Sequence, residues 1–403
     1  MNVVSLFSGC GGLDLGFKGG FDFMHRHYHR NDTHIVFAND FDPDAVNCYN
    51  SNPLLTTGGE VLNRLGDIRD ISVDEIPNFD ILLAGFPCQP FSNAGNRKGI
   101  NDNNGRGTLF YQCERILRGK IEIGHKPLAF VFENVRGILS SKMDDGITTV
   151  PEEIRQRMET MNYRISMQLV KSSDYGVPQN RYRVLIIGVD DRLPAYDFNL
   201  MRESVERNNL PSVQYGNQEE LLLGYILRHC EEAPTGNEYW PYSVTTQEMI
   251  DKIGPCRHGL DALEHFHDGY RIADLPDIDF QGRSWKDIPP EQLTDRFRKI
   301  YDDPKRYHAP KFFRRFAFGE INGTITASAQ PENCGITHSV LNRRYSVREI
   351  ARIQSFPDDY SFEAIPLQSR YKVIGNAVPP VMAWVIADSL IKHLENSIHL
   401  INN

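Results

Sequence analysis

The chain has 403 residues, 40% of them hydrophobic and 10% aromatic, so it can bury a large core and is long enough for two domains. Its net charge of -9 weighs mildly against nucleic-acid binding, although a local basic face counts for more than the total. Seven scattered cysteines with no CxxC or Cys/His spacing exclude a zinc-site pattern and fit a reducing, cytoplasmic compartment. Met1-Asn2-Val3-Val4-Ser5 lacks the basic region of a secretion signal, and no apolar run approaches the length of a membrane span.

Val3 to Phe7 reads as a short buried strand, followed by the turn Ser8-Gly9-Cys10-Gly11-Gly12 and a helix from Leu13. Such a glycine-rich turn lets backbone approach a nucleotide-like ligand. Next comes Phe21 to Arg30, where His25, His27 and His29 alternate. A solvated loop is the favoured reading over a metal site, because no carboxylate or cysteine completes a ligand set. His34 to Ala38 is a second strand, with Asp42 as N-cap and Pro43 as first residue of the helix that follows. Asp40, just past that strand, stands where a Rossmann-like fold grips ribose hydroxyls.

Further strands are expected at Asp80 to Ala84, Leu128 to Phe132, Ile165 to Val170 and Val184 to Val189, with helices at Thr108 to Leu117 and after Pro151. The alternation predicts an α/β fold with a mostly parallel sheet covered on both faces. From about Asp190 it gives way to a region rich in proline, glycine, aromatic and charged residues, including the basic segment Arg296 to Arg315. Regular pattern returns at Ser346-Val347-Arg348-Glu349, which has capping-box spacing, and ends in an apolar helix from about Val381 to Leu394. The expected organisation is a catalytic and cofactor-binding domain over 1–189, a smaller irregular domain over 190–322, and a return to the first over 323–403.

Gly85-Phe86-Pro87-Cys88-Gln89-Pro90-Phe91-Ser92 follows the apolar strand 80–84, which places a thiol at the carboxyl edge of the sheet. An isolated Pro-Cys favours a buried structural cysteine; its companions change that balance. Ser5 to Gly12, Gly85 to Ser92, Glu133-Asn134-Val135, Gln179-Asn180-Arg181-Tyr182-Arg183, Arg348 to Pro357 and Gly375-Asn376-Ala377-Val378-Pro379-Pro380 occur in that order. Together they resemble the motifs of the DNA (cytosine-5) methyltransferase family, bacterial modification type, and the match covers the first half and the final segment.

The resemblance implies a Rossmann-like S-adenosylmethionine-dependent domain, interrupted by a target-recognition domain. It implies methyl transfer from S-adenosylmethionine to carbon 5 of cytosine, at a short sequence of double-stranded DNA, through a covalent Cys88 adduct on a flipped-out base. Carbon 5 of cytosine is a poor nucleophile, and thiolate attack on carbon 6 makes it electron-rich. Glu133 would relieve the charge developing at ring nitrogen 3 and the exocyclic amine. Arg183 would hold the cytosine oxygen, and Arg181 would help orient Glu133. Phe7, Gly9 and Leu13 would wrap the methionine part of the cofactor and Asp40 its ribose. Asp67 and Ile68 would contact adenine, and Pro87, Asn376 and Val378 would close the site.

On the DNA side, the resemblance places Ser92 at a phosphate beside the flipped base and Thr326 at the backbone near the target. Arg97 and Lys98 belong to the loop after Cys88, whose small and basic residues suit a mobile lid. Lys305 and Arg306 lie in the basic segment expected to meet phosphates, with Phe312, Phe313 and Phe316 anchoring it to a core. No metal and no membrane are expected. The chain is read as a cytoplasmic, nucleoid-associated monomer, with a cognate restriction endonuclease acting on the same site without direct binding. A transfer-RNA-methylating branch of the family carries a much smaller recognition region, so the long insertion favours DNA.

Overall fold

The structure, a computed structural model, describes residues 1–57, 61–87, 109–143, 145–256, 281–303 and 312–401. The chain divides into two units, the first comprising residues 1–175, 182–210 and 377–403. Its sheet contains β1 (Asn2–Leu6), β2 (His34–Asp40), β3 (Asn63–Leu65), β4 (Ile81–Ala84), β5 (Ala129–Val135), β6 (Tyr163–Lys171) and β7 (Tyr182–Asp190). The strand order is β3-β2-β1-β4-β5-β7-β6. The first five strands in that order run parallel, whereas β7 pairs antiparallel with both β5 and β6.

Strands buried on both faces read as continuous apolar runs, which is why β4 (Ile81-Leu82-Leu83-Ala84) is wholly buried. Val4, Leu6, Leu82, Ala84, Phe130, Phe132, Val184 and Ile186 alternate along their strands onto one face. There they join Phe110, Cys113, Ile116 and Leu117 of helix α3 (Phe110–Glu122) and Ile154 and Met158 of α4 (Val150–Glu159). Each large side chain so buried contributes about 1.5–3 kcal/mol. The other face meets α1 (Gly12–Lys18), where the Ser5 hydroxyl donates to Asp14 Oδ1 at 2.5 Å. Helix α2 (Pro43–Asn50) starts as its sequence dictates, with Asp42 as cap and Pro43 at its first position. Helix α5 (Asn199–Arg207) supplies Ser204 and Arg207 to Asp388 of the C-terminal helix α6 (Pro380–Ser397).

Three local readings change. Phe21 to Arg30 is no simple loop: Phe21–Phe23 and Arg26–Tyr28 pair as a hairpin, with the Phe21 and Tyr28 rings stacked inward. A carboxylate is also present there, since Asp22 Oδ1 lies 2.7 Å from His27 Nδ1. Finally, the helical stretch Leu367–Leu400 contains an apolar window long enough to cross a membrane, but 94% of that window is buried inside the protein. It is core helix.

The second unit comprises residues 176–181 and 211–376. Met249, Ile250, Ile253, Trp285, Phe297, Phe312 and Phe313 form one cluster, and Phe316 is buried as well. Phe312, Phe313 and Phe316 therefore serve as the expected anchors. With few strands to pair its carbonyls, this irregular chain uses buried guanidinium groups instead. Arg315 donates to the carbonyls of His338, Leu341 and Ile250 at 3.1–3.2 Å. Arg344 donates to Ala329, Trp240 and Pro241, and Arg348 to Pro357 and Tyr360. Burial holds the pKa values of all three below the ordinary arginine range. Arg315, fully buried, thus leaves the basic face that the segment Arg296 to Arg315 was expected to offer.

Candidate active site

Beyond β1 the chain turns through Phe7 (φ 56°) and Gly9 (φ 58°), both left-handed. For Phe7 this costs about 1–2 kcal/mol, held by a stitched loop. Ser8 N–H donates to Asn39 O at 3.1 Å. Gly9 N–H donates to Asp40 Oδ2 at 2.8 Å, and Asp42 N–H donates to Asp40 Oδ1 at 2.9 Å. Burial raises the Asp40 carboxyl above its usual range, against the pull of these backbone bonds. Asn39 Nδ2 reaches Arg64 O and Gly66 O, both at 2.9 Å, which draws the Gly66-Asp67 turn beside Asp40. Asp67 caps the short helical turn that follows and pairs with Arg69, which lowers its pKa. Ile68 and Leu13 are buried.

The structure therefore brings Phe7, Gly9, Asp40 and Asp67 to the carboxyl ends of β1, β2 and β3. An ideal Cβ at Gly9 would meet nothing within 4 Å among the described residues. Two apolar side chains escaped the sequence reading: Phe41 is 62% and Leu65 54% exposed, and Leu65 is the register partner of Asp40. No sequence signal marks them, because what sets them apart is their exposure, which only the fold reveals. Open space at Gly9, a carboxylate with lone pairs to spare and exposed apolar surface fit the methionine, ribose and adenine parts of S-adenosylmethionine.

Glu133 and Arg183 form the second constellation. In the β5–β7 ladder Glu133 faces Leu185, so Arg183, two residues along, lies diagonally on the same face. Arg183 Nε sits 2.6 Å from Glu133 Oε1, with side chains only 12% and 10% exposed. Among the described residues, Glu133 Oε1 nevertheless accepts no aligned hydrogen bond. That oxygen therefore keeps lone-pair capacity for a further N–H donor. Glu133 also touches the root of the cysteine loop: an ideal Cβ on Gly85 would lie 3.7 Å from its Oε2. Asn134 Nδ2 donates to Phe86 O at 3.3 Å, tying the same two strand ends together. Pro87 is half-buried at that end.

Arg181 belongs to the second unit, as do Thr326 and Asn376. Fully buried, Arg181 donates to Ile325 O at 2.9 Å and to Gly375 O at 3.0 Å. Thr326 Oγ1 lies 3.1 Å from Ser328 Oγ and donates to Asn333 Oδ1 at 3.0 Å. Asn376 is exposed, and Val378, in the first unit, is buried. Cys88, Ser92, Arg97, Lys98, Lys305 and Arg306 lie outside the described residues.

The family model described as C-5 cytosine-specific DNA methylase matches residues 1–392. Type II methyltransferase M.FnuDI of Fusobacterium nucleatum is 29% identical over 392 residues, covering 96% of this chain and 93% of its own. M.DdeI of Desulfomicrobium norvegicum is 30% identical over 419 residues, covering 100% and 91%. M.NgoPII of Neisseria gonorrhoeae is 30% identical over 401 residues, covering 98% and 96%. Among solved structures, S. pombe Dnmt2 methyltransferase matches with a TM-score of 0.56 at 15% identity, over 98% of this chain and 99% of that one. Entamoeba histolytica methyltransferase EhMeth matches with a TM-score of 0.56 at 16% identity, over 98% of each. At such identities the structural likeness speaks for the fold alone.

Proposed function

The chain belongs to the C-5 cytosine-specific DNA methylase family, enzymes that methylate cytosine in DNA with S-adenosylmethionine as donor, and on that premise we propose how its residues divide the work. The substrate is a short sequence in double-stranded DNA, and the target cytosine leaves the stack to enter the site. Cys88 adds to carbon 6 as a thiolate, forming a sulfur–carbon bond and pushing electron density onto carbon 5. The Glu133 carboxyl group donates its proton to ring nitrogen 3, where negative charge develops, and accepts from the exocyclic amine, while Arg183 holds Glu133 and the cytosine oxygen. S-adenosylmethionine, when bound, supplies an electrophilic methyl group. Once carbon 5 carries that methyl group, its proton passes to solvent, and the electrons of the broken carbon–hydrogen bond expel the Cys88 thiolate and restore the aromatic ring.

Asp40 accepts the ribose hydroxyls, Phe7, Gly9 and Leu13 line the methionine part, and Asp67, Ile68 and the exposed Phe41 take the adenine. Pro87, Asn376 and Val378 are assigned to the cofactor from their motifs alone. Ser92, Arg97, Lys98, Lys305, Arg306 and Thr326 are assigned to the DNA backbone, with base reading in 190–322. Residues 1–189 and 323–403 carry the transfer chemistry. A bacterial cytoplasmic enzyme paired with an endonuclease of the same specificity is the setting that the names of its relatives favour.

The observation carrying this reading is the Glu133–Arg183 pair set against Gly85, at the root of the cysteine loop. Bisulfite sequencing of a plasmid from an expressing host returns the target sequence and the modified base together. Duplexes carrying 5-fluorocytosine at that position should then trap a covalent complex, because fluorine cannot leave as a proton does. Undiminished trapping by Cys88→Ala would remove the assigned nucleophile.

A further inference from the structure

Four separate stretches of chain meet at two fully buried glutamines. Gln179 stands in the Gln-Asn-Arg-Tyr-Arg stretch and Gln354 before Ser355-Phe356-Pro357, both with no exposed surface. Ile325 N–H donates to Gln179 Oε1 at 3.0 Å. Gln179 Nε2 donates to Gln354 Oε1 and to Ile353 O. Gln354 Nε2 donates to Ile374 O at 3.0 Å. A backbone donor at one end and a backbone acceptor at the other fix the orientation of both amides. The relay runs one way, from Ile325 N–H to Ile374 O.

Its two ends adjoin residues already singled out. Ile325 precedes Thr326, and Ile374 precedes Gly375-Asn376. The same segments are tied again by Arg181, which donates to Ile325 O and to Gly375 O. Ile325 is thus gripped through both of its backbone groups, by an acceptor for its N–H and a donor for its carbonyl. All these groups belong to the second unit.

We propose that Gln354 and Gln179 are positioning residues that hold Thr326 and Asn376 in one fixed arrangement, so that DNA binding and cofactor binding depend on a common support. This rests on the assignment of Thr326 to DNA and Asn376 to S-adenosylmethionine. Neither glutamine touches a reacting atom. Each acts by satisfying buried backbone groups that no water could serve.

The test uses the full chain, S-adenosylmethionine and the duplex identified by bisulfite sequencing. Gln354→Met and Gln179→Met keep length and remove the amide. Each should raise KM for DNA and for S-adenosylmethionine together by about tenfold, the scale of one buried hydrogen bond lost. The double variant should be no worse than the worse single, because either change breaks the same relay. A merely structural role would lower the melting temperature and the active fraction and leave both KM values in place. Should the Met variants fail to fold, Gln354→Glu decides, being the same shape. Its carboxylate would oppose the Ile374 carbonyl, and protonation restores a donor, so its KM relative to wild type should fall as pH is lowered. Folded variants with KM values within twofold of wild type, effects that multiply in the double variant, or a pH-independent Gln354→Glu would each overturn the proposal. A wild-type protein that transfers no methyl group to DNA would instead overturn the functional reading beneath it.

Discussion

Gly375→Ala is the sharpest perturbation the structure offers. An ideal Cβ there would lie 2.4 Å from the Thr326 carbonyl carbon, 2.5 Å from its oxygen and 2.6 Å from Ala327 N. Ordinary contact begins at 3.4 Å, so the two backbones must part by about 1 Å. No rotamer relieves this, because the opposing atoms are all main chain. Nor can either segment drift freely, since Arg181 binds both Ile325 O and Gly375 O. Overpacking of this kind costs about 1–3 kcal/mol of stability. Thr326 and Asn376 flank the contact, and a displacement of about 1 Å at a positioning element costs about 10²-fold in rate. Steady-state methyl transfer to the target duplex, with thermal melting alongside, reads both effects. We expect kcat/KM to fall by about 10²-fold in a protein that still melts cooperatively. Wild-type kcat/KM and melting in Gly375→Ala would refute the argument.

Gly9→Ala places a methyl group in open space, so the protein should fold with only the local cost of a positive φ, about 1–2 kcal/mol, while S-adenosylmethionine affinity measured by calorimetry drops; unchanged affinity would move the cofactor elsewhere. Glu133→Gln should keep that affinity and lower turnover by about 10²-fold or more, and equal turnover would exclude Glu133 from the chemistry. Burial raises the Asp14 carboxyl to about 6, so the folded state binds its proton more tightly than the unfolded chain. This contribution favours folding below pH about 4 and is lost as pH rises through about 6, up to about 3 kcal/mol in all. Asp14→Asn should therefore gain on wild type between those values in urea unfolding, and parallel curves would discredit the linkage. Neutralising Lys305 and Arg306 should flatten the slope of log affinity against log salt by about 0.9 per lost phosphate contact, on target and non-target DNA alike; an unchanged slope would place the DNA cleft elsewhere.

Much of the sheet was legible because parallel strands buried on both faces are written as apolar runs, as in Ile81-Leu82-Leu83-Ala84. Strand β3 escaped because it has three residues and two of them, Arg64 and Leu65, are exposed. The hairpin at 21–28 was written in period two, with Phe21, Phe23 and Tyr28 buried and Asp22 and His27 exposed, but the histidines drew the reading toward a loop. Antiparallel pairing of β7 could not be read, since alternation is the same in either direction. Arg315 looked like part of a basic face because its carbonyl partners, at Ile250, His338 and Leu341, lie up to 65 residues away. In the candidate site, motif residues were legible by type and spacing. Phe41 and Leu65 were not, because what marks them is exposure, a property of the fold.

The proposed mechanism needs one cysteine to act as the nucleophile. A nucleophilic cysteine must reach its thiolate at neutral pH, which burial opposes. All six described cysteines, Cys10, Cys48, Cys113, Cys230, Cys256 and Cys334, are buried. Cys10 is pushed well up by its contact with Cys48 and by burial, Cys113 by burial, and Cys230 by burial to about 12. Cys230 does lie near an arginine–carboxylate pair, Arg352 and Asp358, yet burial still holds its thiol far above neutral pH. The chain that leads to Cys88, by contrast, leaves β4 at Ala84, whose register partner in β5 is Phe132, the residue before Glu133. One ladder therefore fixes both the root of the cysteine loop and the carboxylate that would stabilise the attacked ring.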